Sequence, residues 1–389
     1  MMIDRLSRIG GATIIGLGLV AAVNVSAPAI APASYTADLQ LTTKVLALGG
    51  LGFESVDPEL IAGVLGGRYA HLTCDGGGSG NDCLQGLDWP GKVTPLQGSI
   101  DVGLANMDKA ILDQYAAHPD EQIIVAGASA GTLVVNQEMQ SLWQRYQAGE
   151  DVPPPGKISF VVLGDADRSM LRKLQGVPMP LITYTVHPVP VTPYNVTVQA
   201  GEYDGLGDWP DRTWNLLADL NALAGTSLLQ QALPEQIVTA LKLDAFGSVH
   251  YDSFFLPLSD AKLVTTTKNA AGGTTTTYLM PTADLPLLRP LKPLGVPQPV
   301  IDALTAVLRP IIDSAYIRND PVNPKPAPGH TRTTVTQTVA AQSATANNQP
   351  AVGPSVTASA RPARAAKAAK AAAKPAGSVR RAARGAAGN

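Results

Sequence analysis

A serine hydroxyl attacks an acyl carbon only where the backbone presents it, a histidine takes its proton and a carboxylate orients that histidine. Residues 121–133, EQIIVAGASAGTL, meet the first of these conditions. Ile123, Ile124 and Val125 read as a buried strand, and Gly127, Ala128, Ser129, Ala130 and Gly131 form a Gly-x-Ser-x-Gly turn. Leu133, Val134, Met139, Leu142 and Trp143 then recur at helical spacing. Strand, small-residue turn and helix are the context of a nucleophile elbow, with Ser129 lifted at the turn and glycines where side chains would clash. In a chain with 37 glycines the pentapeptide alone is weak, so the flanking elements bear the reading. The bland alternative is a strand-to-helix turn with Ser129 as a small capping residue.

The chain has five histidines, His71, His118, His187, His250 and His330. Elbow-type hydrolases run in the order serine, acid, histidine. His71 and His118 precede the serine, His330 lies in a biased terminal tail, and His187 sits on an expected strand ahead of any well-placed acid. His250, in AFGSVHYDSF, is left by elimination. For the acid, the segment VTVQAGEYDGLGDWP offers Asp204, in a Gly201-Glu202-Tyr203-Asp204 turn, or alternatively Asp208. Asp208 also reads as an N-cap for a helix over 212–223, and Asp165 and Asp167 are more distant options. An oxyanion hole needs two N–H donors. Ala130, just after the serine, is one, and Gly50 or Leu51 in LALGGLGFES is the other. No His/Cys/carboxylate cluster has metal-ligand spacing, so neither a metal nor an organic cofactor is expected.

These residues need a scaffold, and the pattern from 41 to about 319 supplies one. Strands are expected at 41–50, 69–73, 158–167, 181–189 and 196–204, besides the elbow strand. Helices are expected at 57–67, at 102–117 and after the elbow. Alternation of this kind argues an α/β fold, a mostly parallel central sheet covered by helices on both faces. Ligands then bind beyond the carboxyl ends of the strands, where Ser129 falls. Residues 262–280 read as a β-hairpin turning at AAGG. The segment from His250 onward, with this hairpin and the proline-broken LPLLRPLKPLGVPQP, is either a lid or acyl-binding wall, or simple edge packing. A last helix is expected over 299–317.

The ends differ from this body. Residues 1–33 have a basic start, an apolar stretch over 9–25 and small residues before Ala33, the pattern of a secretory signal peptide or an uncleaved N-terminal membrane anchor. Export to the outside or to the cell envelope follows. Residues 321–389 form a Pro/Ala-rich tail without apolar periodicity, expected to be disordered. Ten of the 29 basic residues and none of the 31 acidic ones lie there, so the near-neutral total hides an acidic body and a basic tail. Such a tail either touches anionic envelope polymers or lipid head groups or serves as a solvated extension. An exported basic tail is a poor candidate for nucleic-acid binding. Cys74 and Cys83 read as a local disulfide in an exported chain.

The set LALGGLG, GASAG, EYDGLGDWPDRTWNLLADLNALAG, VHYDSFFLPL and LTAVLRPIIDSAYIRND resembles the mycobacterial PE-PPE domain, a serine α/β-hydrolase related to cutinases, over about residues 44–320. The resemblance implies the α/β-hydrolase fold, Ser129 as nucleophile, the aspartate of the YDG segment as acid and His250 as base. It also implies esterase activity on short- to medium-chain acyl esters. The signal-like segment stands where a PE or PPE module is usual, as in stand-alone members that resemble cell-envelope acyltransferases for trehalose glycolipids. Leu51 occupies the threonine position of the family's GGTG, which bears on the second oxyanion donor. The expected function is therefore an exported serine esterase working through an acyl-enzyme. Acyl transfer to a sugar hydroxyl through the same intermediate is the first alternative, and a non-catalytic wall-associated protein the second.

Overall fold

A computed structural model describes residues 42–74, 77–226, 239 and 248–320. The signal-like segment 1–33 and the tail 321–389 lie outside the described residues. Among the described residues the central sheet has seven strands. Six are mutually parallel: β1 (Thr43–Leu48), β4 (Leu84–Gly86), β5 (Gln122–Ala128), β6 (Ile158–Leu163), β9 (Asn195–Gly201) and β11 (Thr274–Met280). The seventh, β10 (Leu263–Lys268), pairs antiparallel with β11, and the spatial order is β10-β11-β9-β6-β5-β1-β4. Two small pairs stand apart, β2 (Thr73–Cys74) with β3 (Gly78–Ser79), and β7 (Pro178–Met179) with β8 (Tyr184–Thr185).

The inner strands are apolar on both faces because helices cover both. In β1, β5 and β6 nearly every residue is buried. One core layer joins Leu46, Val125, Phe160 and Val162 to Ile100, Met107 and Ile111 of α2 (Leu96–Ala117) and Val134 and Met139 of α3 (Gly131–Gln147). The opposite layer joins Val45, Ile124 and Val161 to Ile61 of α1 (Pro58–Val64) and Phe254. Further helices among the described residues include α4 (Leu216–Gly225), the single turn α5 (Val249–Asp252) and α6 (Gln298–Asp313).

The doubly covered, mostly parallel sheet is the one expected, with two differences. Residues 69–71 are turn and Thr73 falls in the small β2–β3 pair, so the edge strand beside β1 is Leu84–Gly86 instead. Residues 181–189 contribute only Tyr184–Thr185, outside the sheet, because Pro180, Pro188 and Pro190 remove the donors a central strand needs. The C-terminal hairpin forms, and β11 lies in register with β9, so the hairpin extends the sheet. The expected disulfide Cys74–Cys83 is formed, with both cysteines buried.

Candidate active site

Ser129 sits between β5 and α3 with φ +54°, a left-handed backbone that non-glycine residues adopt at a cost of roughly 1–3 kcal/mol. Its neighbours hold it there. Its N–H donates to Leu163 O at 2.8 Å, and its carbonyl accepts from Thr132 N at 3.0 Å and Thr132 Oγ1 at 2.6 Å. The flanking glycines are steric requirements. A Cβ on Gly127 would lie 2.6 Å from Val135 Cγ2, and one on Gly131 would lie 2.6 Å from Gly49 O. The same crowding brings the β1 loop to the serine, since a Cβ on Gly50 would be 2.8 Å from Ser129 Cβ.

Among the described residues the amides of Gly50, Leu51 and Ala130 donate to no protein group, whereas Gly52 N–H is committed to Gly91 O at 2.9 Å. Ala130 also begins α3, so the positive end of the helix dipole faces the serine. The elbow, the β1 loop and a helix N-terminus thus meet at one point, an arrangement suited to stabilising an oxyanion.

His250 lies in α5, whose N-cap Ser248 accepts from Tyr251 N at 3.1 Å. Its ring is 0% exposed, edge-on to Phe254 at 4.9 Å and Tyr251 at 5.0 Å. Its Nδ1 is 2.7 Å from Asp204 Oδ2, and Asp204 is equally buried. Asp204 is fixed by its turn, with its N–H on Gly201 O at 3.0 Å and its Oδ1 taking Leu206 N at 2.9 Å. With Nδ1–H donating to the carboxylate, the ring's lone pair is left on Nε2, which has no hydrogen-bond partner among the described residues. Ser129 and His250 are therefore not hydrogen-bonded to each other here, and such bonds commonly tighten only when substrate binds. Both nonetheless meet the end of β6: Ser129 bonds Leu163, and the next residue, Gly164, lies under the imidazole.

Asp208 takes a different place. Its carboxylate accepts Tyr203 N–H at 2.8 Å and pairs with Arg318 at 3.0 Å. Burial pushes it up to about 7, with Arg318 opposing the shift. Nor does Asp208 cap a helix, since the N-cap of α4 is Asn215. Asp165 and Asp167 are buried with Asn136 and Arg168, and burial together with Asp165 pushes Asp167 up to about 7. Of the candidate acids, Asp204 is the one brought to His250.

Three supporting residues escaped the sequence reading. Gly164 (φ +65°) leaves the space the imidazole fills, for a Cβ there would lie 2.3 Å from His250 Cε1. Gly207 plays the same part for the acid, its Cβ position being 2.7 Å from Asp204 Oδ2. Gln199, buried in β9, donates to Ser253 O at 2.7 Å and Leu256 O at 3.2 Å, tying the histidine segment to the sheet, and accepts from Arg68. A lone Gln in an apolar strand is the one signal for it. Among the described residues no group of three or more His, Cys, Asp or Glu could hold a metal ion. No helix there is long and apolar enough to cross a membrane.

A mostly parallel sheet with a strained serine at the end of a central strand, beside a buried Asp–His pair, defines an α/β-hydrolase. The chain belongs to the PE-PPE domain family, whose domain matches residues 86–317. Among its relatives in Mycobacterium tuberculosis (strain ATCC 25618 / H37Rv), SL1278 acyltransferase Chp1 is 34% identical over 257 residues, 62% of this chain and 54% of its own. Esterase PE16 is 32% identical over 252 residues, 60% of this chain and 42% of its own. The uncharacterized PPE family protein PPE63 is 31% identical over 275 residues, 67% of this chain and 52% of its own. The chain spans about half the length of the curated relatives it matches.

Proposed function

We propose that this chain is a serine hydrolase of carboxylic esters with short- to medium-length acyl chains, acting through an acyl-enzyme on Ser129. The observation that carries the reading is the fully buried Asp204–His250 pair at 2.7 Å, with Nε2 unpartnered at the strand end that also holds Ser129. In this scheme Nε2 takes the Oγ proton as Oγ attacks the ester carbonyl. The oxyanion draws on the amide of Ala130 and on that of Gly50 or Leu51. The imidazolium, oriented by Asp204, returns the proton to the leaving alcohol, and the acyl group stays on Ser129. A second hydroxyl, from water, repeats the sequence in reverse and frees the acid. No metal or organic cofactor takes part.

Transfer of the acyl group to a sugar hydroxyl in place of water is the second reading. It is favoured by relatives named SL1278 acyltransferase Chp1 and Diacyltrehalose acyltransferase Chp2, the latter 32% identical over 246 residues. The two readings share every step as far as the acyl-enzyme. We further propose that residues 1–33 direct export and that 41–320 form the hydrolase domain. The basic tail 321–389 would lie against the membrane or cell wall.

Fluorophosphonate labelling and p-nitrophenyl ester turnover test the reading on wild type, Ser129→Ala and His250→Ala. Labelling lost in Ser129→Ala, with turnover lost in both variants, is the expected result. Equal labelling in all three refutes it and leaves a non-catalytic scaffold. Product analysis with and without trehalose then decides between water and sugar as acceptor.

A further inference from the structure

On the flank of the molecule a cavity of about 940 Å3 lies between α2, α3 and the segment 187–191. Its volume is near the top of the range for small-molecule sites. Gln137, Gln140, Ser141 and Gln144 line it from α3. Their i, i+3, i+4, i+7 spacing sets three amides and a hydroxyl along one helix face, with no charge among them. Gln137 lies eight residues along the chain from Ser129, roughly 12 Å at the helical rise. Neither Ser129, Asp204 and His250 nor the amides near them line it, so the cavity is separate from the catalytic mouth.

Deeper in, polar atoms lack partners. Asn136 Oδ1, Gln137 Nε2 and Glu138 Oε1 have no hydrogen-bond partner among the described residues. Asn136 and Glu138 are each only 2% exposed. Buried polar groups are rarely left unpaired because their lost hydration is not returned, and Gln137 Nε2, on the same helix face as Gln140 and Gln144, points to a polar occupant.

The chemistry of the walls narrows its class. Facing the amides, Pro188, Val189, Pro190 and Val191 present apolar side chains next to the imidazole of His187, and the alternating prolines restrict the backbone that carries them. Burial, reinforced by Asp108, pushes Glu138 up to about 8, so that carboxyl is neutral at pH 7. Asp108 is already paired with Arg145 at 2.5 Å. The cavity thus offers neutral donors and acceptors on one side and a mostly apolar wall, with one imidazole, on the other. An acyl chain would leave the amides unpaired. A small ion of either sign would find no free opposite charge, since Asp108 is paired with Arg145 and the Glu138 carboxyl is protonated. A sugar ring has the matching surfaces: hydroxyl edges that donate and accept at the same atom, and a C–H face.

We propose that this cavity is a binding site for a neutral saccharide of at least two rings, distinct from the acyl-transferring site. Its occupant would be held away from Ser129, so the site tethers the protein to a glycan or glycolipid headgroup without supplying the attacking hydroxyl.

The test is calorimetric titration of the full chain with trehalose and maltotriose, with choline chloride as the charged control. Wild type and Gln140→Leu/Gln144→Leu are compared, and p-nitrophenyl butyrate turnover is followed in parallel. Expected are saccharide binding in the millimolar range or tighter, at least tenfold weaker in the double variant, and unchanged ester turnover. Three results overturn the proposal: no heat from either saccharide, saccharide affinity equal in the two proteins, or choline binding in preference to both sugars. Saccharide binding abolished by fluorophosphonate treatment also overturns it, by moving the sugar to the catalytic mouth. Should the double variant fail to fold, Gln144→Leu on the exposed end of the face and Val189→Asp on the opposite wall each give the same comparison.

Discussion

Replacing Gly164 by alanine tests whether the imidazole's position governs turnover, and Gly67 provides its control. The two glycines share a left-handed backbone, φ +65° and +67°. Alanine at either position therefore carries about the same conformational cost, on the order of 1 kcal/mol. Their surroundings differ. A Cβ at 67 meets nothing within 4 Å, whereas one at 164 would lie 2.3 Å from His250 Cε1 and 2.7 Å from Nδ1. Carbon atoms settle at about 3.5 Å, so ring or backbone must move by about 1 Å. A shift of that size takes the 2.7 Å Nδ1 contact with Asp204 out of hydrogen-bonding range. A misplacement of about 1 Å lowers rates by roughly a hundredfold, or about 2.7 kcal/mol of barrier. The assay is kcat and KM for p-nitrophenyl butyrate, with Tm measured on the same samples. Gly164→Ala should lose about two decades of kcat with little change in KM, while Gly67→Ala stays within about twofold of wild type. Equal kcat in the two variants, at similar losses of Tm, would refute the reasoning.

The remaining predictions concern the acids, pH and the disulfide. Asp204→Asn should lower kcat by about three to four decades at little cost in stability. Asp208→Asn should lower kcat much less, since it meets Tyr203 N–H and Arg318 and reaches Asp204 only through the turn, while losing Tm because Arg318 is left without its buried partner; the reverse ranking in kcat would reassign the acid. Glu138, raised to about 8, and Asp167 and Asp208, raised to about 7, hold protons in the folded protein that the unfolded chain has already released. Their contribution to stability is full below the ordinary carboxylate range and is lost as pH rises through 7 to 8. Urea midpoints of Glu138→Gln relative to wild type should therefore increase between about pH 5 and 8, and a constant difference contradicts the shift. The Cys74–Cys83 link closes a sequence separation of 9, worth roughly 2–3 kcal/mol in the chain-entropy model. Cys74→Ser/Cys83→Ser should lower the urea midpoint and leave ester turnover unchanged.

The elbow was legible because three local signals coincide within a few residues: β-branched strand, glycine-flanked serine and helical periodicity. His250 was legible for a different reason, the scarcity of histidines after the serine. Asp204 could be separated from Asp208 only by what each carboxylate meets, and those partners, His250 and Arg318, lie 46 and 110 residues away. The misread strands have the same origin. Residues 69–73 and 181–189 contain apolar residues in strand-like patterns, yet sheet pairing is non-local and prolines deny the second segment a ladder. Leu84–Gly86, only three residues long, is held at the edge through its register with β1, where Leu84 lies opposite Val45. Gly164 and Gly207 are ordinary turn glycines by sequence; only the imidazole and carboxylate beside them make them necessary.

The acid's position also depends on the end of the domain. Tyr203, next to Asp204, has φ +66°, unfavourable for a bulky residue, and so needs constraint from outside the turn. That constraint comes from α6 and the residues after it. The Tyr203 hydroxyl donates to Asp313 at 2.6 Å, and its ring packs edge-on to Tyr316 at 5.6 Å. Its N–H is held by Asp208, itself held by Arg318. Glu202 on the other side is 1% exposed and meets Lys262 at 2.6 Å and Arg309 at 3.4 Å. Buried ion pairs contribute little net stability once desolvation is counted, so packing of this density around one turn is better understood as fixing geometry than as strengthening the fold. Elements 60 to 115 residues downstream thus determine where the carboxylate at 204 points, and local turn propensity alone would not hold it toward His250.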